Sequence, residues 1–169
     1  MVFRKAGIKA IILCIFAGIA TPAFAYTVSF IVVETGQVQD GPGSEASHLW
    51  ENELMDVFFN AGHIVSNAHT LRINSNTLKD FPDEAQGDFD EARQGGADFF
   101  VMALLNYQPP GEVPESSGTA VRPRQIFLKV FRVNPCQKVY EQEYSGSAGD
   151  ESVRAKNAAR ASLSHLRER

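Results

Sequence analysis

Seven consecutive apolar residues, Phe99-Phe100-Val101-Met102-Ala103-Leu104-Leu105, stand between a glycine pair and a Pro/Gly/Ser-rich stretch. The run is too short to span a bilayer, and it does not alternate. Both of its faces are therefore hidden from water, as in a central strand of a sheet covered on both sides. A sheet of that kind needs a helix layer on each face, which makes the chain an α/β protein. Thr27-Val28-Ser29-Phe30-Ile31-Val32-Val33 is a second segment of the same type, rich in β-branched and aromatic residues and closed by Thr35-Gly36.

The other elements fit around these two. Ser44 suits a helix cap, with Glu45 in the first turn; Ala46, Trp50, Leu54, Val57, Phe58 and Ala61 recur at helical spacing, and Gly62 ends that helix. His63 to Ser66 reads as a short strand. Leu71 to Lys79 is too polar and irregular to receive an element. Pro82, Asp83 and Glu84 suit a second helix start, with a stripe of Phe81, Ala85, Phe89 and Ala92 and a stop at Gly95-Gly96. Ile126, Leu128 and Val130 alternate with Phe127, Lys129 and Phe131. This strand turns at Asn134-Pro135-Cys136-Gln137 into a partner at Lys138 to Tyr144. Ala155, Ala159, Leu163 and Leu166 mark the inner face of a closing helix, with Arg154, Arg160 and Arg167 outside it. The expected fold is α/β, a single domain with a mixed five-stranded sheet in βαβαβββα order, strand order 2-1-3-4-5, and helices on its faces. The loops after the first and third strands, 36–43 and 106–123, then flank the crevice where α/β sheets bind ligands.

The first residues give an address. Arg4, Lys5 and Lys9 precede an apolar run from Ile11 to Ala20, and Ala23-Phe24-Ala25 forms a small-x-small motif before Tyr26, so 1–25 reads as a signal peptide and 26–169 as the domain. Thr21 and Pro22 break the run short of a membrane anchor, and nothing in the mature chain is apolar enough to span one. Cleavage as a lipoprotein before Cys14 would want a small residue where Leu13 stands. After cleavage at Ala25, all 20 acidic but only 13 of 16 basic residues remain, a net charge of −7. That balance argues against nucleic acid as partner. Cys136 becomes the single cysteine, which leaves no internal disulfide and only an intermolecular one open.

Ala92-Arg93-Gln94-Gly95-Gly96-Ala97-Asp98-Phe99-Phe100-Val101-Met102-Ala103 runs from helix end through glycine and Ala-Asp into an apolar strand. This succession resembles the periplasmic α/β domain found in the curli-secretion lipoprotein CsgG, the amino-terminal domain of TolB and LpoB. The opening strand, the helix ending at Gly62, the hairpin about Asn134 and the Ala-rich last helix extend the resemblance over roughly 27–168. It implies a non-enzymatic domain that contacts other envelope proteins. The chain departs from the lipoprotein members in lacking a convincing lipidation cysteine, and from TolB in lacking a following propeller.

Motifs for chemistry are weak. Gly41-Pro42-Gly43-Ser44-Glu45-Ala46 matches GxGxxA, but Gly41 stands seven positions after Glu34 instead of following a tight turn, Pro42 removes a donor, and no acid ends the second strand; a loop with a helix cap fits better than a dinucleotide site, and the lysine of a P-loop is missing. His48, His63, His69 and His165 lack ligand spacing, and Asp83, Glu84, Asp88, Asp90 and Glu91 lack the pattern of an EF-hand and read as a solvated helix face. No cofactor or metal is expected. No GxSxG occurs, and Cys136 sits in a turn with no neighbouring base. Trp50 falls on the apolar stripe of its helix and reads as core. Tyr107, at the crevice mouth, suits recognition as well as ordinary strand-end packing. The leading expectation is a secreted binding or assembly module with an envelope protein partner, contacts at Gln37, Asp40, Asn106 and Tyr107, and an oligomeric state open to measurement. The alternative is an extracytoplasmic hydrolase using carboxylate chemistry, with the long loop as its lid.

Overall fold

A computed structural model of the protein describes residues 25–36, 45–73, 81–107, 122–145 and 150–166. Strand β1 (Thr27–Thr35) and strand β4 (Phe99–Asn106) lie side by side at the centre, parallel, in register from Val28 against Phe99 to Thr35 against Asn106. Helix α1 (Glu45–Asn60) carries the chain to β2 (Ile64–Asn67), parallel to β1 on its other edge. Helix α2 (Gln86–Gln94), entered through a 3₁₀ turn at Asp83–Ala85, leads into β4. Strands β5 (Gln125–Arg132) and β6 (Gln137–Ser145) add antiparallel to β4 in turn, and helix α3 (Glu151–Leu163) closes the fold. The expected order β2-β1-β4-β5-β6 is present.

The strand count differs from expectation: among the described residues the sheet has six strands, not five. The sixth, β3 (Leu71–Ile73), pairs parallel with Val33–Thr35 of β1, on the edge that β2 occupies lower down. Thr27 faces Ile64, an offset of 37, whereas Val33 faces Leu71, an offset of 38. One extra residue between β2 and β3 therefore splits one edge strand into two, as a bulge does. Three residues with Arg72 in the middle carry no alternation long enough to mark a strand, and their partner is 38 residues away. The order is thus βαββαβββα.

Side-chain parity divides the interior. Val28, Phe30 and Val32 of β1, Phe99, Val101, Ala103 and Leu105 of β4, and Ile126, Leu128 and Val130 of β5 meet Trp50, Leu54 and Phe58 of α1 and Ala155, Ala158 and Ala159 of α3. Ile31, Val33, Phe100, Met102 and Leu104 point the other way, against Phe89 and Ala92 of α2. Helices on opposite faces follow from chain steps in opposite directions across β1 when both crossovers share one hand. Each large side chain buried this way contributes about 1.5–3 kcal/mol. Both crossover helices stop as their glycines dictate. Gly62 has φ +90, with His63 N–H donating to Phe58 O and Gly62 N–H to Phe59 O; Gly96 has φ +78, with Ala97 N–H donating to Ala92 O and Gly96 N–H to Arg93 O. Both are Schellman caps. Helix α3 starts on Asp150, whose carboxylate accepts from Ser152 and Val153 N–H. The expected Ser44 cap and the GxGxxA glycines lie outside the described residues. No helix among the described residues is long and apolar enough to cross a membrane.

Candidate functional site

The carboxyl ends of β1 and β4 form the point where the chain leaves the sheet in two directions. Tyr107 N–H donates to Thr35 O at 2.9 Å, extending the β1–β4 pairing by one residue, and Arg124 N–H donates to Asn106 O at 2.7 Å. Gly36 adopts φ +95, and a Cβ at that position would lie 2.6 Å from the Tyr107 carbonyl oxygen. Only glycine fits so close a crossing. The loops leaving this end are therefore anchored at their first residues, Gly36 and Tyr107, by backbone contact.

Two polar arrangements sit here, one on each face. On the α1 face, Glu34 is completely buried; its carboxylate accepts from Arg72 Nε at 2.9 Å and from the Ser47 hydroxyl in the first turn of α1. Register supplies the first partner, since Arg72 is paired with Glu34 across the β1–β3 edge. A carboxylate in a strand covered on both faces needs such partners, because burying it alone would be far too costly. On the α2 face, a row of hydrogen bonds crosses four strands. Thr35 Oγ1 donates to Asn106 Oδ1 at 3.3 Å, Asn106 Nδ2 to Gln125 Oε1 at 3.3 Å, and Gln125 Nε2 to Glu143 Oε1 at 2.9 Å. The amide orientations are assigned by this network. Hydroxyl and carboxamide groups of this kind recognise by hydrogen bonding, and the row ends on the Glu143 carboxylate.

Of the four expected contacts, the structure places two at this end. Asn106 is half-buried within the polar row. Tyr107 is 3 % exposed, and its side chain joins the α1/α3 core. Gln37 and Asp40 lie outside the described residues, as does most of the 106–123 loop. Glu34 and Arg72 form the charged pair of this end that sequence reasoning does not single out. The available signal is a lone acid at the end of a two-sided apolar strand, which must find a cation or donor.

The remaining titratable groups are dispersed. His48 faces Glu51 at 4.0 Å, His69 faces Asp88 at 3.6 Å, His165 packs on the Tyr140 ring at 4.8 Å, and His63 accepts from Tyr26 N–H. Asp88 thus departs from the expected solvated helix face by turning toward the β2–β3 link. Among the described residues no three His, Cys, Asp or Glu side chains gather as metal ligands. On β5, Lys129 is 4 % exposed and meets Glu141 at 3.2 Å. Lys138 and then Lys129 hold the Glu141 carboxyl below the usual carboxylate range, against an opposing effect of burial. Burial, reinforced by the Tyr140 hydroxyl 3.0 Å away, raises the Tyr144 phenol above its ordinary value.

No protein-family profile matches the chain, and no curated protein sequence matches it. Solved structures do. The PelC dodecamer from Paraburkholderia phytofirmans is 17 % identical, with 88 % of this chain and 93 % of that one covered and a TM-score of 0.44. TolB from Acinetobacter baumannii is 10 % identical over 85 % of this chain and 29 % of its own, TM-score 0.49; the LpoB C-terminal domain from Escherichia coli is 10 % identical over 81 % and 93 %, TM-score 0.45. Two of the proteins whose domains the Gly-Gly-Ala-Asp segment resembles, TolB and LpoB, are thus among the structural neighbours. Likeness at this level carries nothing about ligand or partner.

Proposed function

We propose that the protein is exported and acts outside the cytoplasm as a non-enzymatic binding or assembly module, contacting another envelope protein at the carboxyl end of β1 and β4. Gln37 and Asp40 on one loop and Asn106 at the base of the other are its contact region, with Tyr107, its ring in the core, anchoring the loop base and Asn106 held in the polar row. The observation that carries this reading is the Thr35–Asn106–Gln125–Glu143 row, a hydroxyl and two carboxamides ending on a carboxylate, held at a topological switch point. Loops on a rigid scaffold are the usual place for recognition.

Among the described residues, the acids at this end do not converge as carboxylate hydrolysis needs. Glu34 belongs to the α1 face and is engaged by Arg72 and Ser47. Glu143 belongs to the α2 face, opposite Phe127, and accepts from Gln125. Two acids on opposite faces of one sheet cannot flank a single scissile bond as glycosidase chemistry requires. The reading is tested by placing a photo-crosslinking residue at Gln37 or Asp40, with Arg160 on α3 as the control. A discrete crosslinked envelope protein is expected from the loop positions, absent from the control, and lost when Gln108 to Pro123 is replaced by a short turn. Crosslinks that survive the loop replacement unchanged would remove the loop from the interface.

A further inference from the structure

We propose that the chain is cut between Ala25 and Tyr26 on export and that the α-amino group so created docks on His63, completing the start of the sheet. The proposal rests on the export reading above. Its observation is geometric: the backbone nitrogen that cleavage would free is already seated. Tyr26 N–H donates to His63 Nδ1 at 3.2 Å, and Ile64 N–H donates to Tyr26 O at 2.9 Å. The Tyr26 ring stacks on the His63 imidazole, centroids 5.7 Å apart, and meets Phe99 edge-on at 5.1 Å. The next amide, Thr27 N–H, donates to Asp98 Oδ2 at 2.8 Å. Ala25, one residue earlier, is exposed. Among the described residues, the contacts that fix this end of the chain therefore begin at Tyr26, which follows the small-x-small motif.

Hydrolysis by a leader peptidase breaks the Ala25–Tyr26 C–N bond. The hydroxyl of water goes to the Ala25 carbonyl carbon and its proton to the Tyr26 nitrogen, which takes a second proton from solvent to become an ammonium. The nitrogen keeps its place because the Tyr26 carbonyl and ring are held independently. One of its hydrogens continues to His63 Nδ1, now in a charge-assisted bond, so the imidazole must carry its own proton on Nε2. Asp98, from the turn before β4, stands one residue along and favours the positive charge. Arg132, at the end of β5, opposes it: its guanidinium carbon lies 5.9 Å from the Phe99 ring centre, in a cleft of about 270 Å³ that Tyr26 and Asp98 also line. Protonation of Nδ1 would remove the acceptor and set two cations against each other, and loss of the ammonium proton would remove the charge assistance, so the docked state belongs to the pH window between those two events.

The test begins with the full chain, expressed with its own leader and recovered from the extracytoplasmic fraction. Intact mass and terminal sequencing are expected to show Tyr26 as the first residue. Another terminus, or no processing, would overturn the cleavage. With Tyr26 confirmed, competitive acetylation at neutral pH is expected to modify the terminal amine about tenfold more slowly than in His63→Phe, the factor a charge-assisted hydrogen bond of ordinary strength gives. Equal rates would overturn the docking while leaving the cleavage standing. A measurement without a mutant guards against a variant that fails to fold: the ¹⁵N pattern of His63 should show an Nε2-protonated ring, and its titration midpoint should rise when the terminal amine is acetylated. A midpoint that stays put would also overturn the docking.

Discussion

Gly36→Ala tests whether the two loop bases cross as closely as described, and Gly62→Ala and Gly96→Ala supply its controls. All three glycines have φ between +78 and +95, so each alanine meets the left-handed penalty of about 1–2 kcal/mol. At Gly62 and Gly96 that is the whole effect, since an added Cβ meets nothing within 4 Å. At Gly36 the Cβ would stand 2.6 Å from the Tyr107 carbonyl oxygen and 3.3 Å from its carbon. That carbonyl belongs to backbone pinned by the Tyr107 N–H to Thr35 O bond and cannot swing aside as a side chain would. Relief requires parting the ends of β1 and β4, at about 1 kcal/mol per hydrogen bond lost and about 1–3 kcal/mol for the overpacked site. Gly36→Ala should therefore cost about 3–6 kcal/mol in all. Urea unfolding followed by Trp50 emission measures it, because the chain has one tryptophan and it is fully buried. For a slope of about 2 kcal/mol/M, midpoints fall by about 0.5–1 M for the controls and about 1.5–3 M for Gly36→Ala, with the slope unchanged. If the three midpoints coincide, the close crossing is wrong and Gly36 is merely another left-handed glycine.

Two further outcomes follow from the β5–β6 hairpin. Glu141 is held low by Lys138 first and Lys129 second, so its share of stability is present above the ordinary carboxylate value of about 4.3 and is lost as pH falls through its lower folded value. Lys138→Ala should raise the Glu141 titration midpoint, read by carboxyl NMR, and begin the acid loss at higher pH; an unmoved midpoint would show that Lys138 is not the main cause. Cys136 is exposed at the hairpin turn, so an aromatic disulfide reagent should modify the native protein without prior unfolding. Cys136→Ser should abolish any disulfide-linked dimer on a non-reducing gel, and a dimer surviving the change would have another origin.

The parts of the fold legible in the sequence are those whose cause is local or periodic. Unbroken apolar runs mark β1 and β4 because both faces of each are covered; the stripe through Trp50, Leu54 and Phe58 marks α1; and Gly62 and Gly96 mark helix ends because only a left-handed residue closes a Schellman cap. Tyr107 was legible further than its position at a strand end suggests. Counting by two from Phe99 through Val101, Ala103 and Leu105 reaches Tyr107, and that parity directs its ring into the α1/α3 core. Asn106, on the other parity, joins the polar row. What sequence does not carry is the partner of a residue whose contact lies across the sheet. Nothing beside Gln125 announces Glu143, and nothing beside Lys129 announces Glu141.

The strand β3 is the sharpest case of that limit, and it yields a test. Leu71-Arg72-Ile73 has too little pattern to specify a strand, yet Arg72 is the cation that Glu34 requires, and Glu34 is fixed because β1 is among the most buried strands of the sheet. The charge pair is therefore a side-chain tie between the edge strand and β1, beside their backbone pairing. Arg72→Ala would take that cation away from the buried carboxylate while Ser47 still donates to it. Breaking a buried pair costs about 3–5 kcal/mol. Because Arg72 is 33 % exposed and water shares in its charge, the lower end, about 3 kcal/mol, applies. Glu34→Gln removes the charge instead, so in the double variant Arg72→Ala has far less left to disturb. The cycle measured by urea unfolding should show coupling of about 1–3 kcal/mol, with the double variant more stable than Arg72→Ala alone. Additive losses would mean that the two residues act independently, and that Leu71 and Ile73, through their packing alone, hold β3 against β1.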